Sequence, residues 1–295
     1  MFAESIQYVG NFTRPLHTIL RTYGGKNIVP GAATLFFVNE LGYAITCKHV
    51  VDILNSSNQW NKNYNEFRNE KNNLLHDTKY NEKVRQLEMK YKISNGSVIQ
   101  IKNTFMDCVD SMKDFTQTLH PKFDLAIIKF NGFNNLMYKD FAKFKKTTSQ
   151  IQPGEFLCRL GFPFPEFNNF KFNETADEIE WTNEGAKGSP RFPIEGMITR
   201  FLVEQNKLFG IELSTPGLKG QSGGPLFNKS GIVYGMQSST KHLHLGFDIE
   251  EKELWIDNKL KKVSNYSFIH LGQCIHAEVI KEFLAENNVK YYEED

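Results

Sequence analysis

An all-β fold built from two small barrels is what this 295-residue sequence predicts. Most of the chain consists of short runs rich in β-branched and aromatic residues, bounded by Gly, Pro, Asn or Asp. Helical stretches do not alternate with those runs, which argues against a parallel βαβ sheet. The 25 Phe suit thin β cores, which fill with aromatic side chains.

In chain order the candidate strands are Leu16 to Arg21, Ala33 to Val38, Gly42 to Thr46, Ser97 to Lys102 and Leu125 to Phe130, then Glu155 to Leu160, Gly196 to Phe201, Phe209 to Leu213, Gly231 to Gln237 and Ser267 to Leu271. The polar stretch Lys145 to Pro153 divides them into two similar sets, so a first barrel over 1–150 and a second over 151–295 are expected. Two segments break the β pattern. Between 55 and 92 the chain is rich in Asn, Lys and Glu, and Trp60, Tyr64, Phe67 and Leu74, then Val84, Leu87 and Tyr91, recur at helical spacing. This predicts a helical insertion in the first barrel, acting either as an amphipathic cover or as a docking place for a regulator. Near the end, Val279, Ile280, Phe283 and Leu284 fall on one face of a helix over 276–288 that Asn287 and Asn288 can close. The acidic tail Tyr291 to Asp295 is expected to fray.

Composition narrows the function classes. With 35 Lys and Arg against 34 Asp and Glu the net charge is +1, so no general basic surface for nucleic acid is indicated. The longest apolar run, Ala32 to Val38, is interrupted by Thr34, whereas a membrane span needs about 20 apolar residues. No membrane partner is expected. The N-terminus has no basic n-region and carries Glu4 where an export signal would be apolar, so a cytoplasmic location is expected. Cys47, Cys108, Cys158 and Cys274 fall at unrelated spacings with no C-x-x-C pair or Cys/His cluster, which predicts reduced thiols and no metal site.

Chemistry concentrates in Gly220-Gln221-Ser222-Gly223-Gly224-Pro225-Leu226. A G-x-S-G-G string arises by chance in a chain of this length with probability below about 1%. A nucleophilic serine needs a tight bend that exposes its hydroxyl and frees backbone N–H groups to converge, and glycines permit both. Gly220 and Ser222 N–H are the natural oxyanion donors. The same string could open a nucleophile elbow, but that requires a helix after the serine. Here Leu-Phe-Asn-Lys-Ser-Gly and the strand-like Ile232-Val233-Tyr234 follow instead. For the base, His49 ends a strand-like run, and for its orienting acid, Asp124 opens the apolar run Leu125 to Phe130. Either alone would read as structural; a buried carboxylate there needs a donor such as an imidazole N–H.

The order His49, Asp124, Ser222, with T-x-x-H-V, D-L-A-I and G-x-S-G-G-P-L around them, resembles the trypsin-like serine peptidases of chymotrypsin fold. The nearest pattern is that of bacterial stand-alone and HtrA/Deg-like peptidases, over roughly residues 14–288. Pro153 to Pro163, Pro193 to Thr199 and Gly231 to Ser238 resemble the connecting strands of that family. The resemblance implies a serine endopeptidase acting on protein or peptide substrates through an acyl-enzyme, with no cofactor. It implies His49 as base, Asp124 as orienting acid hydrogen-bonded by Ser238, and Ser222 as nucleophile. Cys47 and Lys48 depart from the small residues usual before the histidine, and Lys48 could depress the imidazole's pKa. No segment the size of a PDZ domain follows the second barrel, so a full HtrA architecture is not expected. By the same resemblance, Thr215, Pro216, Gly217, Gln237 and Ser238 form the substrate pocket. All are uncharged, which predicts a preference for neutral side chains, with His242 and His244 as an alternative route to acidic or amide ones. Gln221 stands where secreted zymogens carry an acid that pairs with a new N-terminus, so activity without N-terminal cleavage is expected. A catalytically silent binding module and an esterase on the same fold remain alternative functions.

Overall fold

The computed structural model describes residues 2–295. After a short helix α1 (Ala3–Gly10) come β1 (Thr13–Thr22), β2 (Ile28–Phe37) and β3 (Tyr43–Thr46). Two helices follow, α2 (Lys48–Asn72) and α3 (Tyr80–Tyr91), then β4 (Val98–Phe105), β5 (Asp114–Leu119) and β6 (Ala126–Asn131). These six strands form one antiparallel sheet in the order β4-β1-β2-β3-β6-β5. The predicted first barrel is corrected to a curled half-barrel, because the edge strands β4 and β5 do not pair. Aromatic side chains bridge that gap instead: the Phe105 ring meets Phe115 edge-on at 5.2 Å and Phe130 at 4.9 Å.

The second half contributes β7 (Lys143–Lys145), β8 (Phe156–Gly161), a β9 (Phe170–Asn173) and β10 (Glu178–Trp181) hairpin, β11 (Phe192–Glu204), β12 (Lys207–Leu213), β13 (Pro225–Phe227) and β14 (Val233–His244). A hairpin of β15 (Ile249–Ile256) and β16 (Lys259–Asn265), then β17 (Phe268–His276), α4 (Ala277–Glu286) and β18 (Tyr292–Glu294) complete the chain. Here the sheet closes on itself: the order β13-β8-β11-β12-β17-β14 returns to β13 through a β13–β14 ladder. The fold is thus mostly β, with one half-barrel and one ring-bonded sheet.

The two halves share one core. Phe36, Phe37 and Phe130 of the first sheet belong to the same buried cluster as Phe144, Leu160, Phe227 and Met236 of the second. Burying each such Phe stabilises by roughly 1.5–3 kcal/mol, so the junction is part of the hydrophobic core. The expected division at residue 150 is crossed three times. β7 joins the second sheet by pairing with β14, the tail pairs with β7 as β18, and α1 brings Phe2 edge-on to Phe227 at 6.3 Å. The tail is therefore not frayed: Lys143 holds Glu294 and Lys281 holds Glu293 at 2.9 Å. Helices α2 and α3 cover the β1–β4 edge through a small core of Tyr64, Phe67, Ile93 and Ile99. The helical region starts at Lys48, ahead of residue 55, because the chain leaves β3 through an extended Cys47 and coils at once. Among the described residues no helix is long and apolar enough to cross a membrane.

Candidate active site

Direct passage from β3 into α2 puts His49 in the first turn of a long helix, a rigid mount. Just before it, buried Cys47 donates its thiol to the Gln237 carbonyl at 3.3 Å, pinning the helix start to the second sheet. Burial raises that thiol's pKa well above its ordinary value, so it stays protonated and inert. Lys48 turns away from the site and donates to the His120 carbonyl at 3.3 Å.

Asp124 is gripped from three sides. His49 Nδ1 lies 2.9 and 3.1 Å from its two oxygens, the His49 backbone N–H donates at 3.0 Å, and Ser238 Oγ donates at 2.6 Å. Burial pushes this carboxyl's pKa up, but the donated hydrogen bonds outweigh it and hold the value at about 2. An ionised carboxylate only accepts, so this network assigns the ring proton to Nδ1 and leaves the lone pair of His49 on Nε2. The loop carrying Asp124 is shaped by His120, whose Nδ1 accepts from the Lys122 and Phe123 N–H groups at 3.0 and 2.9 Å. Phe123 then stacks on Phe209 at 5.5 Å, docking the loop on the second half. Cys47, His49 and Asp124 bring ligand-type atoms within 4.8 Å of one another. Their protonated thiol and mutually bonded imidazole and carboxylate suit a proton relay better than a metal's ligand set.

Ser222 sits half-buried in a loop that β2 clamps from the other half. Thr34 N–H donates to the Ser222 carbonyl at 3.0 Å and Thr34 Oγ1 to the Gly220 carbonyl at 2.7 Å. Gly223 adopts φ +86°, and a side chain there would run into the Thr34 carbonyl, so only glycine permits the clamp. Within the loop, Gln221, Gly223 and Gly224 N–H are taken by the carbonyls of Leu218, Gln237 and Gln221. Among the described residues, the N–H groups of Gly220 and Ser222 have no protein acceptor. Gln221 is fully buried; its side chain accepts from Leu218 N–H at 3.0 Å and donates to the Phe192 carbonyl at 3.2 Å.

Beside Ser222 opens a cleft of about 500 Å³ lined in part by Pro216, Gly217, Gln237 and Ser238. Thr240 ties its walls together, accepting from Gly217 N–H at 2.9 Å and donating to the Gly217 carbonyl at 2.8 Å. Two expectations change. Thr215 stands behind the wall, where its hydroxyl accepts from Arg159 at 2.6 Å and donates to the Glu195 carbonyl at 2.9 Å. His244 does not line the cleft but pairs with Asp248 at 2.7 Å, whereas His242 lines it together with His270. Thr34, Arg159 and His270 went unread in the sequence, each lying on an element far from the motif it supports, and so did His120, which lies four residues before Asp124 but shows its role only through its bonds to the loop backbone.

A half-barrel and a ring-bonded sheet meeting at a serine loop define a chymotrypsin-like fold. The trypsin-like peptidase domain family matches residues 33–236, and the chain belongs to that family. Its fold is similar to that of the HtrA-type protease AlgW with decapeptide, with a TM-score of 0.50 at 12% identity, covering 97% of this chain and 67% of that one. A structure of AlgW with tripeptide gives a TM-score of 0.47 at 13% identity, covering 98% and 65%. This chain thus spans about two thirds of the length of those structures. Among curated proteins, none matches the sequence.

Proposed function

We propose that this protein is a serine endopeptidase that cleaves peptide bonds through His49, Asp124 and Ser222. The observation that carries the reading is the double grip of His49 on Asp124, through ring and backbone, with Ser238 completing the acid's contacts. With Nδ1 committed to Asp124, Nε2 is the ring nitrogen left to accept the Ser222 proton as the hydroxyl attacks a carbonyl. The imidazolium that forms is supported by the ionised Asp124 and returns the proton to the leaving amine. Gly220 and Ser222 N–H, unclaimed by the protein, stabilise the tetrahedral oxyanion. Water then attacks the acyl-enzyme by the same relay in reverse. Because neutral, buried Gln221 already holds the loop, the chain needs no new N-terminus to form it. Peptides are favoured as substrates because the fold's relative AlgW was solved with a decapeptide.

The reading is tested by fluorophosphonate labelling and casein cleavage with the full chain, its Ser222→Ala variant and its His49→Ala variant. Ser222→Ala is expected to abolish labelling and lower kcat by roughly 10⁴ or more, with the double variant little worse than either single one. Labelling elsewhere, or unchanged turnover, would refute it.

A further inference from the structure

The cleft beside Ser222 is lined by groups that can carry positive charge and by no acid. Lys219, His242 and His270 are among its lining residues, and no Asp or Glu is. The carboxylate of the candidate site, Asp124, is already taken by His49 and Ser238. His242 Nδ1 and His270 Nδ1 lie 2.6 Å apart, so one must donate and the other accept. In the neutral pair, the accepting ring therefore carries its proton on Nε2, as a further donor.

Behind the wall stands a guanidinium without an anion. Arg159, on β8, is fully buried. Its Nη1 donates to Gln237 Oε1 at 2.7 Å and its Nη2 to the Thr215 carbonyl and hydroxyl at 3.1 and 2.6 Å, while its Nε has no acceptor. Every acceptor is neutral, and among the described residues no carboxylate pairs with it. Gln237 cannot turn its amide over to relieve this, because its Nε2 donates to the Ser239 carbonyl at 2.7 Å. Gln237 is also the wall itself: a side chain on Gly217 would collide with its amide, and one on Gly272 would collide with the guanidinium. A full positive charge is thus held one side chain behind the cleft. A buried cation without a counter-ion is costly, and a substrate carboxylate seated in the cleft would lessen that cost.

We propose that this cleft receives the acidic side chain, glutamate or aspartate, of the residue whose carbonyl Ser222 attacks. Lys219 and the His242–His270 pair bind the carboxylate, and the Arg159–Gln237 pair behind the wall adds its field. This specificity rests on the endopeptidase reading above. It replaces the neutral preference drawn from Thr215, Pro216, Gly217 and Gln237, because the cation and the second histidine arrive from β8 and β17.

The test uses the full chain and fluorogenic peptides differing only in Glu, Gln, Leu or Arg at the cleaved position. The kcat/KM for Glu should exceed that for Gln by about tenfold or more, since the two side chains match in shape and differ in charge. Lys219→Gln and His270→Gln, both on exposed positions, should each lower the Glu/Gln ratio several-fold through KM. Gln237→Glu places a carboxylate on Arg159 and should bring the ratio to about one or below. A wild-type ratio of one or less, or a preference for Arg, overturns the proposal. If no peptide is cleaved, the Ser222→Ala chain still reports: tighter calorimetric binding of a peptide ending in Glu than of one ending in Gln supports it, and equal or weaker binding overturns it. Fluorophosphonate labelling reports separately on the catalytic reading.

Discussion

Ser238 donates to Asp124 at 2.6 Å from a register shift in the β14–β17 ladder. The shift falls between Gln237 and Ser239, which pair with neighbouring residues Cys274 and Gln273 and leave Ser238 out of the ladder. A bulge of this kind re-aims a side chain, and here the side chain reaches across the junction to an acid on the other half. Removing Ser238 Oγ by Ser238→Ala should cost one charge-assisted hydrogen bond and lower kcat about tenfold. Asp124→Asn should cost far more, roughly 10⁴ in kcat, because an amide can donate to Nδ1 and so favours the wrong tautomer. Steady-state kinetics on a small ester would check both. Similar losses for the two variants would argue that Asp124 acts only as a spacer.

Thr34 links the nucleophile loop to the first sheet by two hydrogen bonds, one from its backbone and one from its hydroxyl. Thr34→Val keeps the shape and the backbone bond but frees the Gly220 carbonyl, whose peptide adjoins the proposed oxyanion donors, and leaves the Phe162 N–H without its acceptor at 3.2 Å. The expected result is a kcat lowered about ten- to a hundredfold with KM nearly unchanged, and a thermal midpoint lowered by a few degrees. A change in KM alone would place Thr34 in substrate binding instead.

Of the candidate site, the His49–Asp124 pair that the structure brings together was legible because each residue sits in a local signature, a strand end before His49 and an apolar run after Asp124, and the Ser222 loop was legible from its glycines. The strands were legible where alternation or apolar runs stood alone, as in Leu125 to Phe130. What the sequence could not reveal depends on pairing. β7 and β18 are too short to show a period, and they form by pairing, β7 with β14 and β18 with β7, around the buried Phe144. Arg159 reads as one charged residue in an apolar strand, and only the three-dimensional neighbours make it a buried cation. The open first sheet is likewise a matter of which edges meet, and local sequence does not encode that.

Two buried histidines predict acid sensitivity well above the carboxylate range. Burial lowers the pKa of His17 and of His276 from 6.5 to about 4 in each case. His17 lies stacked on Phe167 with Nδ1 unpartnered, and His276 caps α4 by accepting from Glu278 N–H at 3.1 Å with Nε2 unpartnered. Since the folded values lie below the unfolded one, the unfolded chain takes up protons first as acid is added. Stability is therefore lost as pH falls from about 6.5 to about 4, by roughly 3 kcal/mol for each histidine, and these two contribute no further loss below that. Asp124 acts in a lower window: its folded value of about 2 lies below 3.8, so its contribution is full above 3.8 and disappears as pH falls through 2. Urea midpoints at pH 7, 5 and 4 should fall steeply for the wild type. They should fall less for His276→Asn, which keeps a capping oxygen without a titrating ring. Parallel curves for the two proteins would show that His276 is not a source of the loss.

The last prediction concerns the helices that follow His49. Asp177, at the tip of the β9–β10 hairpin, accepts from Arg21 on β1 at 2.8 Å and from Tyr64 on α2 at 2.6 Å. Gln100 on β4 donates to the Asp177 carbonyl at 2.9 Å and accepts from Arg21 Nε at 3.0 Å. Arg21 is buried and lies over the Phe172 ring at 4.4 Å, so loss of its anion strands a charge in an apolar setting. One residue of the second half thus fastens the helical insertion and the first sheet together. Asp177→Ala should cost about 3 kcal/mol, whereas Tyr64→Phe, which removes one hydrogen bond and keeps the ion pair, should cost about 1. A small ester needs the same His49 and Ser222 but does not reach the insertion, so loosening α2 at its far end should lower cleavage of folded protein substrates more than hydrolysis of that ester. Parallel assays of casein and a small ester with both variants, at temperatures where each is folded, separate the roles. Equal losses on the two substrates would mean that the insertion is a structural cover and takes no part in handling protein substrates.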